Sequence, residues 1–226
     1  MNLALFDLDG TLIETDSDHA FGEFMVEIGW VDADVFQRRN DAFYEDYQAA
    51  RLDIHAYIDF ATVPWRERPE REALAMRERF MRERIAPVID ARARALVRGH
   101  QAAGDRVAIV TATNEFITRP IADAFGVADL IAVELAHDDN GAVTGAIRGV
   151  PSFREGKILR VEEWLARQGL RHADFSRIVF YSDSTNDLPL LEWATHPVAT
   201  NPGPALAAIA NERGWPVLNL FSEETT

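Results

Sequence analysis

Short apolar runs that stop at a turn or polar residue recur along the chain, and longer helix-compatible stretches separate them. The runs are Leu3–Phe6, Arg106–Val110, Leu130–Val133, Ile178–Tyr181, Pro197–Thr200 and Val217–Leu220. Each is too short and too evenly apolar for a helix, so each reads as a strand buried on both faces. Between them, Pro87 to Ala103 places Val88, Ala91, Ala95 and Leu96 on one side and stops at Gly104, a residue suited to a left-handed cap. Glu155 to Arg167 repeats Ile158, Val161 and Leu165 on one stripe and ends near Gly169. Strands alternating with helices of this length predict an α/β fold, a parallel sheet covered on both faces. Ligands of such sheets bind at the carboxyl ends of the strands.

Two segments break the rhythm. From about Ser17 to Arg84 the chain has no buried-type strand, only helix-compatible sequence rich in aromatics, which predicts an all-helical insertion after the first strand. Within it, Trp65 to Arg84 carries seven arginines and five glutamates, with Glu67/Arg71 and Glu78/Arg82 four apart, the pattern of a solvated helix face laced by ion pairs. The other break is Glu134 to Arg148, where Asp139-Asn140-Gly141 between short apolar stretches predicts a β-hairpin.

With 226 residues, 47 % of them apolar, the chain can bury a core as one large domain or one domain with an insertion. Its net charge of −14 argues against nucleic acid or an anionic membrane as the main partner. No cysteine is present, so a disulfide framework, a zinc ribbon and a thiol nucleophile are excluded. The first ten residues lack a basic leader and no apolar run approaches the ~20 residues of a membrane span, so a cytoplasmic location is expected. The six histidines show no paired metal spacing, and His19, near the start of the insertion, is expected to serve packing.

Asp7-Leu8-Asp9-Gly10-Thr11 follows the first strand and sets two carboxylates on one face of a continuing strand. Like charges so placed repel, and a divalent cation would resolve the conflict. The plainer reading is a capped turn with two solvated aspartates. The second strand runs into Thr111-Ala112-Thr113-Asn114, which delivers a hydroxyl to the same edge. Lys157, the single lysine among 23 cationic side chains, opens the helix after Gly156, where free N–H groups already favour an anion. A fourth strand ends in Ser182-Asp183-Ser184-Thr185-Asn186-Asp187, with two more carboxylates four apart. Hard oxygen donors without histidine or cysteine favour Mg²⁺.

Taken in order, Asp7-x-Asp9-x-Thr11, Thr111, Lys157 and Asp183-x-x-x-Asp187 resemble the four motifs of the haloacid dehalogenase superfamily, spanning residues 7 to 187. The helical insertion, the Ser-Thr-Asn-Asp tract and the Gly-Lys helix are most similar to its phosphoserine-phosphatase-like branch, subfamily IB. The resemblance implies a Rossmann-like three-layer core of residues 1–15 and 86–226, with residues 16–85 forming a C1-type helical cap. It further implies catalysis by Asp7, Asp9, Thr111 and Lys157. Asp7 would be the nucleophile that forms an aspartyl-phosphate, and Asp9 the general acid and base. Thr111 and Lys157 would join Asp7 in binding the phosphate. Asp7, Asp183 and the Asp9 main-chain carbonyl would hold Mg²⁺, with Asp187 supporting the metal and orienting Lys157. An aspartate at position 9 marks members that cleave phosphate esters rather than carbon–halogen or carbon–phosphorus bonds.

For the substrate, a small-molecule phosphate ester, the candidate residues are Glu14, Asp16, Asp18, Asn114 and Asn186. Asp16 stands near the position where phosphoserine phosphatases hold the substrate amine. The stretch Arg51 to Phe60 offers no arginine after Asp53-Ile54 to receive a carboxylate, which disfavours phosphoserine itself and leaves an amine-bearing ester such as histidinol phosphate as the expectation. A phosphomutase, an idle metal-binding relative and a receiver-like phosphoacceptor are the alternatives. A receiver would need neither the long insertion nor the Asp183/Asp187 pair.

Overall fold

The structure is a computed structural model that describes residues 1–49 and 51–221. Its first strand, β1 (Asn2–Phe6), is followed by four helices, α1 (Ser17–Glu27), α2 (Ala33–Gln48), α3 (Ile54–Arg66) and α4 (Glu70–Phe80), with no strand among them. A π-helical turn at Met81–Ile85 and a 3₁₀ turn at Ala86–Val88 lead into α5 (Ala91–Ala102) and β2 (Arg106–Asn114). Then come α6 (Glu115–Phe125), β3 (Asp129–Val133), the hairpin β4 (Leu135–His137) and β5 (Val143–Ile147), and α7 (Glu155–Ala166). The chain closes with β6 (Arg177–Ser182), α8 (Leu188–Trp193), β7 (His196–Thr200), α9 (Pro204–Arg213) and β8 (Val217–Leu218).

Six strands form one sheet in the order β3-β2-β1-β6-β7-β8, and every pairing in it is parallel. Period-two alternation gives β1 two buried faces. Ala4 and Phe6 join Ile109, Val179 and Tyr181 in a core that continues into the first helices. Leu3 and Leu5 join Ala108, Val110, Ile178 and Phe180 beneath α7, α8 and α9. Phe6 pairs with Ile109 on one side and Tyr181 on the other, so β1, β2 and β6 end level. That register sets Asp7, Thr111 and Asp183 along one edge of the sheet.

Aspartates start three of the inserted helices: Asp16, Asp32 and Asp53 each accept main-chain N–H bonds as N-caps of α1, α2 and α3. Most aromatics of the insertion are core, as with Phe21, Phe24 and Phe80, which pack ring against ring. The Arg/Glu-rich stretch departs from the sequence expectation. It is broken at Pro69, which lacks an N–H, and neither Glu67/Arg71 nor Glu78/Arg82 pairs among the described residues. Arg79 binds Glu83 and Arg84 binds Glu27, while Arg68 and Arg77 lie over the rings of Trp30 and Phe116.

The hairpin forms where expected, its turn held by the Asp138 carboxylate accepting from Asn140 and Ala142 at 2.9 Å each. What the sequence does not announce is that β5 lies on α3: a Cβ at Gly145 would stand 1.7 Å from Nη1 of Arg66. Nor does the sequence bound α6, which contains Pro120, or α8, which is six residues long. Among the described residues, no helix is long and apolar enough to cross a membrane.

Candidate active site

Asp7 continues β1 by donating its N–H to the Tyr181 carbonyl at 2.9 Å, which fixes its backbone while its side chain is 3 % exposed. Lys157 reaches it from the first turn of α7. Gly156 makes that approach possible, because α7 starts hard against the Pro151 carbonyl and a Cβ at 156 would fall 2.1 Å from that oxygen. The Lys157 ammonium donates to Asp7 Oδ1 at 2.9 Å and to Asp187 at 2.7 Å, with all three side chains almost fully buried. Asp187 in turn accepts from the Ser182 hydroxyl at 2.7 Å. That contact accounts for Ser182, whose hydroxyl the sequence leaves without a role. Thr11, which the sequence suggests as a turn cap, instead donates to Asp183 Oδ1 at 2.9 Å and accepts the Asp183 N–H at 3.0 Å. Asn201 of the β7–α9 turn holds the same loop through the carbonyls of Gly10 and Thr11.

Two carboxylates thus share one ammonium, with the Asp183 carboxylate beside them on Thr11. Burial, and then the charges of Asp187 and Asp183, push the Asp7 carboxyl well above the ordinary range, although Lys157 pulls it back. Burial pushes Asp183 up to about 7, against the Thr11 hydrogen bond. For Lys157 burial works against the charge, but Asp187 and Asp7 outweigh it and hold the ammonium above its usual range.

The Asp9 side chain points away from this cluster. Its Oδ1 accepts the Ser17 N–H at 2.8 Å and its Oδ2 the Thr113 hydroxyl at 2.9 Å. Burial raises its carboxyl and those two bonds moderate the rise. Beyond Asp9 lies an inner cavity of about 40 Å³, reached by Asp7 and Thr111 on the core side and by Asp16, Asp18, His19, Tyr44, Tyr47 and Tyr57 on the helical side. Among the described residues, no lysine or arginine lines it. A wider cleft of about 410 Å³ opens on the far side of Asp9, Asp16, Tyr44 and Tyr47, with Asp183 and Asn186 in its wall.

Of the five substrate candidates, Asp16 and Asp18 line the inner cavity. Glu14 is exposed at the rim of the outer cleft. Asn114 is buried, its oxygen capping α6 through the Ile117 N–H and its amide donating to Asp18 at 3.4 Å. Asn186 donates to the Tyr47 carbonyl at 3.0 Å, joining α2 to the core. Thr113, Ser17, Tyr44, Tyr47 and Tyr57 join the site without a mark of their own in the sequence motifs. A second hydroxyl two residues after Thr111 was the available signal for Thr113; nothing local marks the tyrosines. His19 also belongs to the cavity, its Nε2 3.0 Å from Asp41 Oδ1 and its ring 4.6 Å from that of Tyr44.

The residues at this edge fit a divalent cation. Among the described residues Lys157 pairs with Asp7 and Asp187 and no cation pairs with Asp183, so the cluster gathers more carboxylates than cations. Gly10, at φ +70°, leaves the Asp183 carboxylate a berth that a Cβ would fill, at 2.4 Å from Oδ2. Among the described residues, no three acidic or imidazole side chains converge closely enough to cage an ion.

Similarity to known proteins agrees with this geometry. A histidinol-phosphatase of Neisseria meningitidis serogroup C (strain 8013) is 44 % identical over 218 residues, covering 96 % of this chain and 98 % of the relative. The crystal structure of a protein with unknown function from Bordetella pertussis Tohama I superposes with a TM-score of 0.92 at 48 % identity, covering 97 % of this chain and 99 % of that one. A substrate-bound phosphoserine phosphatase, 16 % identical, shares the fold at a TM-score of 0.67 over 96 % of this chain and 91 % of its own. Residues 4–192 match the family model of the haloacid dehalogenase-like hydrolases, and the chain belongs to that family.

Proposed function

We propose that the chain is a Mg²⁺-dependent phosphatase that hydrolyses histidinol phosphate, an amine-bearing phosphate monoester, through an aspartyl-phosphate on Asp7. The observation that carries the substrate reading is the inner cavity itself. Its charged lining is acidic, with Asp16 and Asp18 beside His19 and three tyrosines and no arginine or lysine to receive a substrate carboxylate. A phosphoserine carboxylate would meet repulsion there, whereas an ammonium would be attracted. The likeness to a histidinol-phosphatase over nearly the full length of both chains supports the same choice.

In this reading Lys157 holds Oδ1 of Asp7 and leaves Oδ2 to attack phosphorus. As the Asp7–phosphorus bond forms and the ester bond breaks, Asp9 gives its proton to the leaving alkoxide, a task suited to a carboxyl raised by burial. Ser17 and Thr113 hold both of its oxygens in place. Asp9 then takes a proton from water as that water displaces Asp7 and releases inorganic phosphate. Thr111 and Lys157 bind the phosphoryl oxygens. Mg²⁺, held by Asp7 and Asp183, would neutralise charge between the nucleophile and the phosphate. Asp187 positions Lys157, and Ser182 positions Asp187.

Residues 16–85 act as the cap over the core formed by 1–15 and 86–226. The partner is a small molecule in the cytoplasm, not a nucleic acid or a membrane. The test is release of free phosphate from histidinol phosphate and from phosphoserine in the presence of Mg²⁺, with Asp7→Asn alongside. We expect kcat/KM to favour histidinol phosphate by about tenfold or more and Asp7→Asn to abolish turnover. Equal use of phosphoserine would overturn the substrate, and turnover by the variant would overturn the nucleophile.

A further inference from the structure

We propose that Asp18 is a specificity residue that receives a second basic nitrogen of the substrate, so that the cavity selects phosphate esters carrying an amine and a nitrogen ring over those carrying an amine alone. This deepens the amine-phosphate reading of the site and rests on it.

Asp18 is 6 % exposed in the wall of the inner cavity. Its Oδ1 accepts from the Asn114 amide at 3.4 Å, while its Oδ2 is buried with no hydrogen bond closed upon it, the neighbouring Tyr57 hydroxyl being the one group that pulls this carboxyl down. A buried carboxylate that served packing alone would have both oxygens satisfied, because leaving one unbonded costs its full desolvation. The surroundings make the vacancy costlier, since Asp16 and Asp9 face the same cavity and both raise the Asp18 carboxyl after burial has done so. A ligand that brings a positively charged or N–H-bearing group would satisfy Oδ2 and relieve the repulsion together.

Asp16 is placed for a different nitrogen. Its Oδ1 is committed to the α1 cap, accepting from Asp18 and His19 at 3.1 and 2.8 Å, and it stands in the wall shared by the inner cavity and the outer cleft. Asp18 lies in the inner cavity only, in company with the rings of Phe43 and Tyr57, which meet edge to face with centroids 5.3 Å apart. A flat body ending in an N–H, such as an imidazole, matches those walls better than a flexible chain does. Two acidic acceptors at two depths therefore fit two nitrogens at two distances from the phosphate.

The test compares kcat and KM of the wild type and Asp18→Asn on histidinol phosphate, which has an amine and an imidazole, and on O-phosphoethanolamine, which has the amine alone. We expect the kcat/KM preference for histidinol phosphate to fall about tenfold or more in Asp18→Asn, mostly through KM. Tyr57→Phe should lower the same preference less. An equal loss on both substrates, or an unchanged preference, would overturn the assignment. If the wild type does not hydrolyse histidinol phosphate, the function proposed above fails on its own account. Asp18 is then tested by inhibition of p-nitrophenyl phosphate turnover: stronger inhibition by histidinol than by ethanolamine, lost in Asp18→Asn, supports it, and no difference between the two amines refutes it.

Discussion

At the scale of single residues, Lys157 shows why one lysine persists in a chain that otherwise uses arginine. Its ammonium is a compact charge held between oxygens at 2.9 and 2.7 Å, and it is 1 % exposed. A guanidinium is larger, planar and forked, and cannot reproduce a point charge shared between two buried carboxylates. Lys157→Arg should cut phosphate release by about a hundredfold or more and lower Tm, since disturbing a buried ion pair costs about 3–5 kcal/mol; near-normal kinetics would show the lysine to be replaceable. Asp16 gives a prediction of opposite sign for stability. Burial, and then the charge of Asp9, raise its carboxyl from 3.8 to about 7. The folded state then binds a proton that the unfolded state has released, so this contribution is full below about 4 and is lost as pH rises towards 7. The metal-free wild type should melt lower at pH 8 than at pH 5, and Asp16→Asn, which keeps a capping oxygen, should narrow that gap in a thermal scan. An unchanged gap would remove Asp16 as its source. The lysine count points to Lys157, and the resemblance to phosphoserine phosphatases points to Asp16. Ser182 was opaque because its partner, Asp187, comes within reach only when the 3₁₀ turn at Thr185–Asp187 forms.

Among the elements, α7 is the one whose placement the chemistry depends on most directly. Its first turn packs so closely on the Pro151 carbonyl that Gly156 has no room for a Cβ, the clash being with backbone that cannot swing aside. Gly156→Ala should therefore displace the helix start, lowering Tm by several degrees and kcat by about tenfold, with the loss visible in thermal melts and in phosphate release. A variant with unchanged Tm and kcat would show that the loop before α7 adapts freely. The end of β2 makes a parallel point. The apolar run predicted a strand to Val110, but the strand continues to Asn114 through an irregularity in its pairing with β3. That extension carries Thr111 to the edge where Asp7 stands, Thr113 to Asp9 and Asn114 to both α6 and Asp18. Polar residues end a strand pattern in a sequence, whereas here they are buried because α1 and the β1 loop cover them.

For the whole molecule, the two spaces around Asp9 are the controlling feature. The inner cavity holds about 40 Å³, room for roughly three waters, while the outer cleft holds about 410 Å³. Asp16 faces both spaces, whereas Asp18 lines the inner one, behind the wall of Tyr44 and Tyr47 of α2. The Asn186 amide ties that wall to the core through the Tyr47 carbonyl. Asn186→Ala should speed hydrogen exchange in α2 and raise KM a few-fold, with little change in the exchange of β1; exchange in α2 identical to wild type would mean that the tie does not restrain the helix. The parallel α/β sheet, the helical insertion, the hairpin and the order of the chemical residues along the strand ends are legible in the residue order. These follow from side-chain periodicity and from residues adjacent in the chain. Packing alone brings Asn114 to Asp18 and Thr113 to Asp9, and sets tyrosines of α2 and α3 around a cavity with acidic walls. Those contacts join residues 96 and 104 positions apart, and they depend on how helices pack over the sheet, which no local pattern encodes.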